Sequence, residues 1–229
     1  MPRGVGLTRV TIVEDHDLFA EALDLAITFQ GHAVQRVSAQ RPGASVATLL
    51  DAVRRQRPQV VLLDLDLGPQ IDGTPLVRPL VEDGSAVLIL SACDDAGRLG
   101  QCLAHGARAV LRKSAGLNSV VGAIRCVACD LPAMPREERA RLLASYAEDA
   151  KRTRGIRDAL ATLTRRESEV LGELMEGTPV PEIARSSYVS EATVRSQVKS
   201  IRAKLGVSSQ LTAVGTARRA RWQPPSRSS

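Results

Sequence analysis

The sequence predicts two domains of different class: an α/β domain built on a doubly wound parallel sheet, (βα)5, followed by an all-α domain of four helices. Three observations carry this. The chain has 229 residues, more than a typical single domain and comfortable for two. In its first half, short apolar runs alternate five times with amphipathic stretches, the pattern of strands and crossover helices in a parallel sheet covered on both faces. From Leu163 onward no strand pattern remains.

The strand candidates in order are VTIV (10–13), AVQRV (33–37), VVLLDL (60–65), AVLIL (86–90) and ARAVL (107–111). The helical stretches between and after them lie near 17–29, 44–56, 74–83, 95–104 and 117–129. Two prolines within Leu131–Pro135 interrupt the pattern, and the charged run 136–155 reads as a helical linker. Four further helices are expected near 165–176, 179–186, 190–205 and 208–220. Thr164 and Glu167 make a capping box for the first, Ser190 caps the third, and Gly206 stops it. The closing WQPPSRSS is expected to be disordered. The expected boundaries are thus 8–130, a linker over 131–160, and 161–222.

Charge separates the two halves. Residues 1–135 carry 13 Lys/Arg against 14 Asp/Glu, a net of −1, and residues 136–229 carry 18 against 11, a net of +7. An acidic-leaning half joined to a basic one suits a regulator with a nucleic-acid-binding end. Aromatic residues are only 2% of the chain, which argues against a stacking platform for single strands. No apolar run is long enough to span a bilayer and no secretory signal is legible, so no membrane association and a cytoplasmic location are expected. The four cysteines form no disulfide framework. Cys126 and Cys129 make a CxxC without a second pair, and their place in an apolar helix points to core packing.

Several polar residues stand where apolar runs end. Glu14 and Asp15 follow the first, Asp64 lies near the end of the third, Ser91 follows the fourth, and Lys113 follows the fifth. In a parallel sheet these ends share one edge, where ligands bind. Clustered carboxylates repel one another, and a hard divalent cation relieves that repulsion. Asp64 could then act as a nucleophile toward phosphorus, with the cation and Lys113 offsetting charge on the transferred group. The Ser91 hydroxyl could donate to that group once it is attached.

The segments VTIVEDHDLF, PQVVLLDLDLG, VLILSA and GARAVLRKSA resemble the receiver domain of response regulators over about residues 8–130. The resemblance implies phosphorylation on Asp64 by a sensor histidine kinase. It also implies Mg²⁺ held by Glu14, Asp15, Asp64 and the main-chain carbonyl of Asp66, with Ser91 and Lys113 sensing the phosphate. Three positions depart from the family: Gly68 and Asp17 stand where prolines are common, and Val110 where an aromatic switch residue is usual. Residues 163–210, with LTRRE, EIA, SEATV and KLGV, resemble the LuxR-type helix-turn-helix of the NarL/FixJ family. Within them Val194, Val198, Ile201 and Leu205 recur at helical spacing, and Arg195, Lys199 and Arg202 follow on an adjacent face. A helix of this kind can enter a major groove. The resemblance implies that Arg195, Ser196 and Lys199 reach base edges, while Thr193, Arg202 and Lys204 touch phosphates or pack. Gln197 stands where this family often has histidine.

The expected function is that of a two-component response regulator and transcription factor, not an enzyme, binding double-stranded promoter DNA as a homodimer. Two alternatives stay open. DLDLG (64–68) also resembles the DxD motif of haloacid-dehalogenase-type phosphatases, although two strands precede it here. Alternatively, a phosphorylation-independent regulator would use the first domain for dimerisation or ligand binding.

Overall fold

The computed structural model describes residues 7–40 and 43–224, which divide into two compact units, Met1–Ala147 and Glu148–Ser229. The first alternates strand and helix as the apolar runs require: β1 Arg9–Glu14, α1 Asp17–Phe29, β2 Ala33–Ser38, α2 Val46–Gln56, β3 Val60–Asp64, α3 Thr74–Glu82, β4 Ala86–Ser91, α4 Ala96–Ala104, β5 Ala109–Arg112 and α5 Leu117–Ala128. All four strand pairings are parallel, in the order β2-β1-β3-β4-β5.

Period-two alternation along each central strand sends side chains to opposite faces. Val13, Val61, Leu63, Val87 and Ile89 pack with Leu49, Leu76, Leu80 and Leu99 of α2, α3 and α4. Val10, Ile12, Leu62, Leu88 and Leu90 pack with Leu23, Ile27, Ile124 and Val127 of α1 and α5. The central strands are therefore buried on both sides, which is why they read as nearly continuous apolar runs. Consecutive winding first leftward, then rightward, places the reversal of strand order between β1 and β3.

Helix α6 (Arg136–Ala161) begins within the linker foreseen by its charge, but its first turns belong to the first unit. Leu142 is 2% exposed within the α2–α4 core, and Arg139 donates to the main-chain oxygens of Ala107 and Arg108, each at 3.2 Å. A β-carbon on Gly100 of α4 would lie 2.0 Å from the Leu142 carbonyl oxygen, so only glycine allows this approach. Within the stretch expected to be a charged spacer, the first turns of α6 are thus packed against α4.

The second unit holds α7 Arg165–Glu176, α8 Val180–Ser186, α9 Glu191–Leu205 and α10 Gln210–Arg219. The Thr164–Glu167 capping box forms in both directions, Ser190 Oγ accepts from the Thr193 N–H, and Gly206 ends α9 in the left-handed region at φ 65°. Val194, Val198 and Ile201 pack with Val170, Leu171, Ile183 and Ala217 in one core.

Two expectations need correction. The described part of the tail is packed: Trp222 lies against the helical core, and Pro224 reaches Gly172, whose absent β-carbon makes the room. Residues 225–229 of the tail lie outside the described residues. The CxxC is not core, because Cys129, at the end of α5, is exposed and Cys126 is half-buried, while Cys102 is the buried cysteine.

Candidate functional site

The carboxyl edge of the sheet gathers side chains that lie far apart in the chain. β1 ends at Glu14, β3 at Asp64 and β4 at Ser91, which are 2%, 1% and 1% exposed, and Lys113 follows β5. The Lys113 Nζ lies 2.7 Å from Asp64 Oδ2 and 2.8 Å from the Glu14 carboxylate, joining the outer strand to the two central ones. Its stem also lies by the Phe19 ring of α1, with Nζ 5.3 Å from the centroid. Behind the edge, Gly73 faces the main chain of Asp64 so closely that a β-carbon would come within 2.4 Å of the Asp64 carbonyl oxygen.

The electrostatics are those of too few cations for the carboxylates. Burial pushes the Asp64 carboxyl up to about 6, with the Glu14 charge adding to it, against hydrogen bonds from Lys113 and the Asp66 N–H. Burial raises Glu14 also, but hydrogen bonds from Lys113 and from the His16 N–H outweigh it and hold that group below the usual range. Lys113 is shifted upward: burial disfavours its charge, and its bonds to Asp64 and Glu14 more than compensate. Glu14 Oε2 and Asp15 Oδ1 are buried, and each has one ion-pair neighbour, the Lys113 ammonium at 2.8 Å and the His16 ring at 2.7 Å. Ligand atoms of Glu14, Asp15, His16 and Asp64 lie within 4.8 Å of one another. Apart from the His16 ring the ligand atoms are carboxylate oxygens, which suits a hard cation. The Ser91 hydroxyl stays within its own loop, accepting from the Cys93 N–H at 3.0 Å.

In the second unit the first turns of α9 present Thr193, Arg195, Ser196 and Lys199 to solvent, with Val194 and Val198 on the opposite, buried side. The Arg195 guanidinium bonds to Glu191, one turn back on the surface, at 3.0 Å.

Two family models match the chain: the response regulator receiver domain over residues 10–125 and the luxR family of bacterial regulatory proteins over residues 161–217. Over 215 residues it is 32% identical to a probable transcriptional regulatory protein NarL of Mycobacterium tuberculosis, covering 93% of this chain and 94% of the relative. It is a response regulator of the LuxR type. It is also 27% identical over 226 residues to the transcriptional regulatory protein DegU of Brevibacillus brevis, with 90% and 91% coverage. Among solved structures, RcsB of Salmonella typhimurium shares the fold at a TM-score of 0.51 and 20% identity, over 93% of this chain and 98% of that one. RcsB from Salmonella enterica serovar Typhimurium, bound to a promoter in the presence of phosphomimetic BeF3⁻, matches at 0.50 and 21%, over 91% and 97%. The family is one of transcription regulators, which removes the phosphatase reading of DLDLG.

Against the residues expected from sequence, this response regulator brings Glu14, Asp15, Asp64 and Lys113 together and sets Ser91 at the end of the adjacent strand. The Asp66 carboxylate is not among the clustered ligands, being held instead by Arg98 at 2.7 Å. Lys204 packs: its ammonium donates to Glu167 at 2.6 Å and to the Thr162 carbonyl at 3.0 Å. Arg202 is half-buried and donates to the Ser208 carbonyl beyond the end of α9. Three residues escaped the sequence reading. His16 places Nδ1 2.7 Å from Asp15 Oδ1, and its pKa is raised by Glu14 and Asp15, but in sequence it is only the residue after two acids. Phe19 and Arg98 lie inside helical patterns, where periodicity reports a face and not a partner.

Among the described residues, no helix is long and apolar enough to cross a membrane.

Proposed function

We propose that Asp64 accepts a phosphoryl group from a sensor histidine kinase and that this state favours binding of a homodimer to double-stranded promoter DNA through α9. The domains are assigned as receiver 8–130, linker 131–160 and DNA-binding domain 161–222, acting in the cytoplasm. The observation that carries the reading is the buried Asp64 carboxylate against the Lys113 ammonium at the carboxyl edge of the sheet.

With its pKa at about 6, Asp64 is mostly ionised at neutral pH and can attack. An Asp64 oxygen forms a bond to phosphorus as the phosphorus–nitrogen bond of the kinase phosphohistidine breaks, and the imidazole leaves with the electron pair. Lys113 stands where its ammonium can pair with the added phosphoryl oxygens, and the Ser91 hydroxyl can donate to them by leaving its loop partners. Glu14, Asp15, Asp64 and the Asp66 carbonyl would hold Mg²⁺, which when bound supplies positive charge to the phosphoryl oxygens.

On DNA, Arg195, Ser196 and Lys199 are assigned to base edges and Thr193 to phosphate, while Arg202 and Lys204 support the helix. RcsB in a promoter complex with BeF3⁻ shares this fold and supports the coupling of phosphate to DNA. The test is incubation with acetyl phosphate and Mg²⁺ followed by intact mass: wild type gains one phosphoryl group and Asp64→Asn gains none. Phosphate on Asp64→Asn would sink the assignment.

One observation favours a second reading, in which the receiver works without phosphate. Val110 stands at the usual aromatic switch position, half-buried against the α2–α4 core beside a cavity of about 40 Å³ that Ser91 and Leu142 also line.

A further inference from the structure

From the Arg98 contacts we infer that this residue is a positioning residue for the cation site: it fastens α4 to the loop after Asp64 and turns Asp66 so that its carbonyl, not its carboxylate, is left for a metal. The inference rests on the reading of the acidic cluster as a Mg²⁺ site.

The loop from Leu65 to Gly73 reverses the chain between β3 and α3. It is closed by a bridge between Asp66 and Asp72, by the Leu67 N–H to Ile71 O at 3.1 Å, and by the Gly73 N–H to Leu65 O at 2.8 Å. That closure brings the Asp66 and Asp72 carboxylates within reach of one cation. Arg98 spans the loop from α4. Its Nη1 donates to Asp66 Oδ1 at 2.7 Å, its Nη2 to Asp72 Oδ1 and to the Leu65 carbonyl, both at 2.7 Å, and its Nε to Thr74 Oγ1 at 3.3 Å. Four acceptors from both limbs of one loop thus converge on one planar fork, which only arginine offers.

Two consequences follow for the site. Arg98 offsets part of the Asp66 and Asp72 charge, one cation for two carboxylates. The Asp66 side chain is drawn toward α4, which accounts for its absence from the clustered ligand atoms, while its N–H donates to Asp64 Oδ1 at 3.1 Å. Groups that orient a metal ligand in this way commonly matter almost as much as the ligand. The Arg98 side chain is 22% exposed, whereas the Asp66 and Asp72 carboxylates that it holds are more than half exposed.

The test uses the full chain and Mn²⁺ as the probe ion, with free Mn²⁺ followed by electron paramagnetic resonance. Arg98→Ala is expected to weaken Mn²⁺ binding about tenfold, and Arg98→Lys, which keeps the charge and loses the fork, about threefold. Arg54→Ala, which removes the exposed Arg54–Asp83 pair of the same domain, is expected to bind as wild type does. Melting temperatures recorded alongside separate a loss of positioning from a general loss of stability. If Arg98→Ala does not fold, the partial loss in Arg98→Lys decides. Wild-type affinity in both Arg98 variants, or losses no greater than that of Arg54→Ala, would overturn the inference while leaving the cation site standing. A wild-type chain that takes up no Mn²⁺ would overturn the cation reading and this inference with it.

Discussion

Replacing Glu167 with glutamine should destabilise the helical domain far more than a substitution in a first helical turn usually does. Glu167 closes the capping box of α7 and also receives Lys204 at 2.6 Å and Ser200 at 2.5 Å from α9, with its side chain only 8% exposed. Burial works to raise its carboxyl, but the bonds from Lys204, Ser200 and Thr164 prevail and hold it at about 2 against a usual 4.5. At ~1.4 kcal/mol per pH unit, that displacement amounts to about 3 kcal/mol at neutral pH. The folded value lies below the unfolded one, so this stability is fully present above pH 4.5 and drains away as the pH falls toward 2. Trp222 is the only tryptophan in the chain and packs against this core, so its fluorescence reports the helical domain alone within the intact protein. With a urea slope of about 1 kcal/mol/M for a domain of this size, Glu167→Gln should lower the midpoint at pH 7 by about 3 M. Between pH 4.5 and 3 the wild-type midpoint should fall toward that of the variant. A loss under about 0.5 kcal/mol at pH 7, the range of an ordinary surface substitution, would refute the assignment of this network.

Arg195→Ala should reduce binding to a specific site by about 1–3 kcal/mol while changing binding to random DNA little, as read by titration at one salt concentration; equal losses on both would contradict a base contact. Lys204→Ala should lower the urea midpoint of the Trp222 transition yet leave the salt slope of DNA binding as in wild type, because its ammonium is already engaged by Glu167; a flattened slope would place it on phosphate. Gly100→Ala should loosen the first turns of α6, since its methyl group meets the Leu142 carbonyl, with about 1–3 kcal/mol of destabilisation and faster hydrogen exchange confined to residues 136–147; unchanged exchange there would mean that α6 is not seated on α4. Phosphorylation should strengthen DNA binding by less than about tenfold, ~1.4 kcal/mol, because valine at 110 is short and stiff; a hundredfold gain would show full coupling by another route.

The sheet and the acidic pocket were legible because both follow from local pattern and one topological rule. Apolar runs mark the strands, parallel order puts their ends on one edge, and Glu14, Asp64, Ser91 and Lys113 meet there without further information. The helix caps at Thr164 and Ser190 were legible for the same reason, since their partners lie three residues away. What escaped depends on pairings across the fold. Arg98 looks like any surface arginine until the phase of α4 aims it at the β3–α3 loop. Leu142 reads as one apolar residue in a charged run until Gly100 removes the β-carbon that would keep α6 away. Lys204 belongs to a basic helix face by composition, and only the approach of α7 gives its charge an internal partner. The CxxC failed in the opposite sense: its helical pattern was real, but it sits in the last turn and cap of α5, where that pattern no longer implies burial.

Asp64 and Glu167 show how one functional group is put to opposite ends in the two domains. Both carboxylates are buried, at 1% and 6% exposure. Around Glu167, donors arrive from the Thr164 main chain, the Ser200 hydroxyl and the Lys204 ammonium, so the ion is saturated and its carboxyl falls to about 2. Such a group is inert, because any new partner would have to displace an existing donor. Asp64 has the Asp66 N–H and a Lys113 ammonium that it shares with Glu14, another carboxylate, and its carboxyl rises to about 6. Burial without saturation leaves the ion under-solvated, which makes it both a stronger nucleophile and a site that gains from added positive charge. A phosphoryl acceptor working with a cation needs both properties. On the proposed reading, the buried carboxylate with too few donors serves the chemistry of the first domain, and the one with enough serves the architecture of the second.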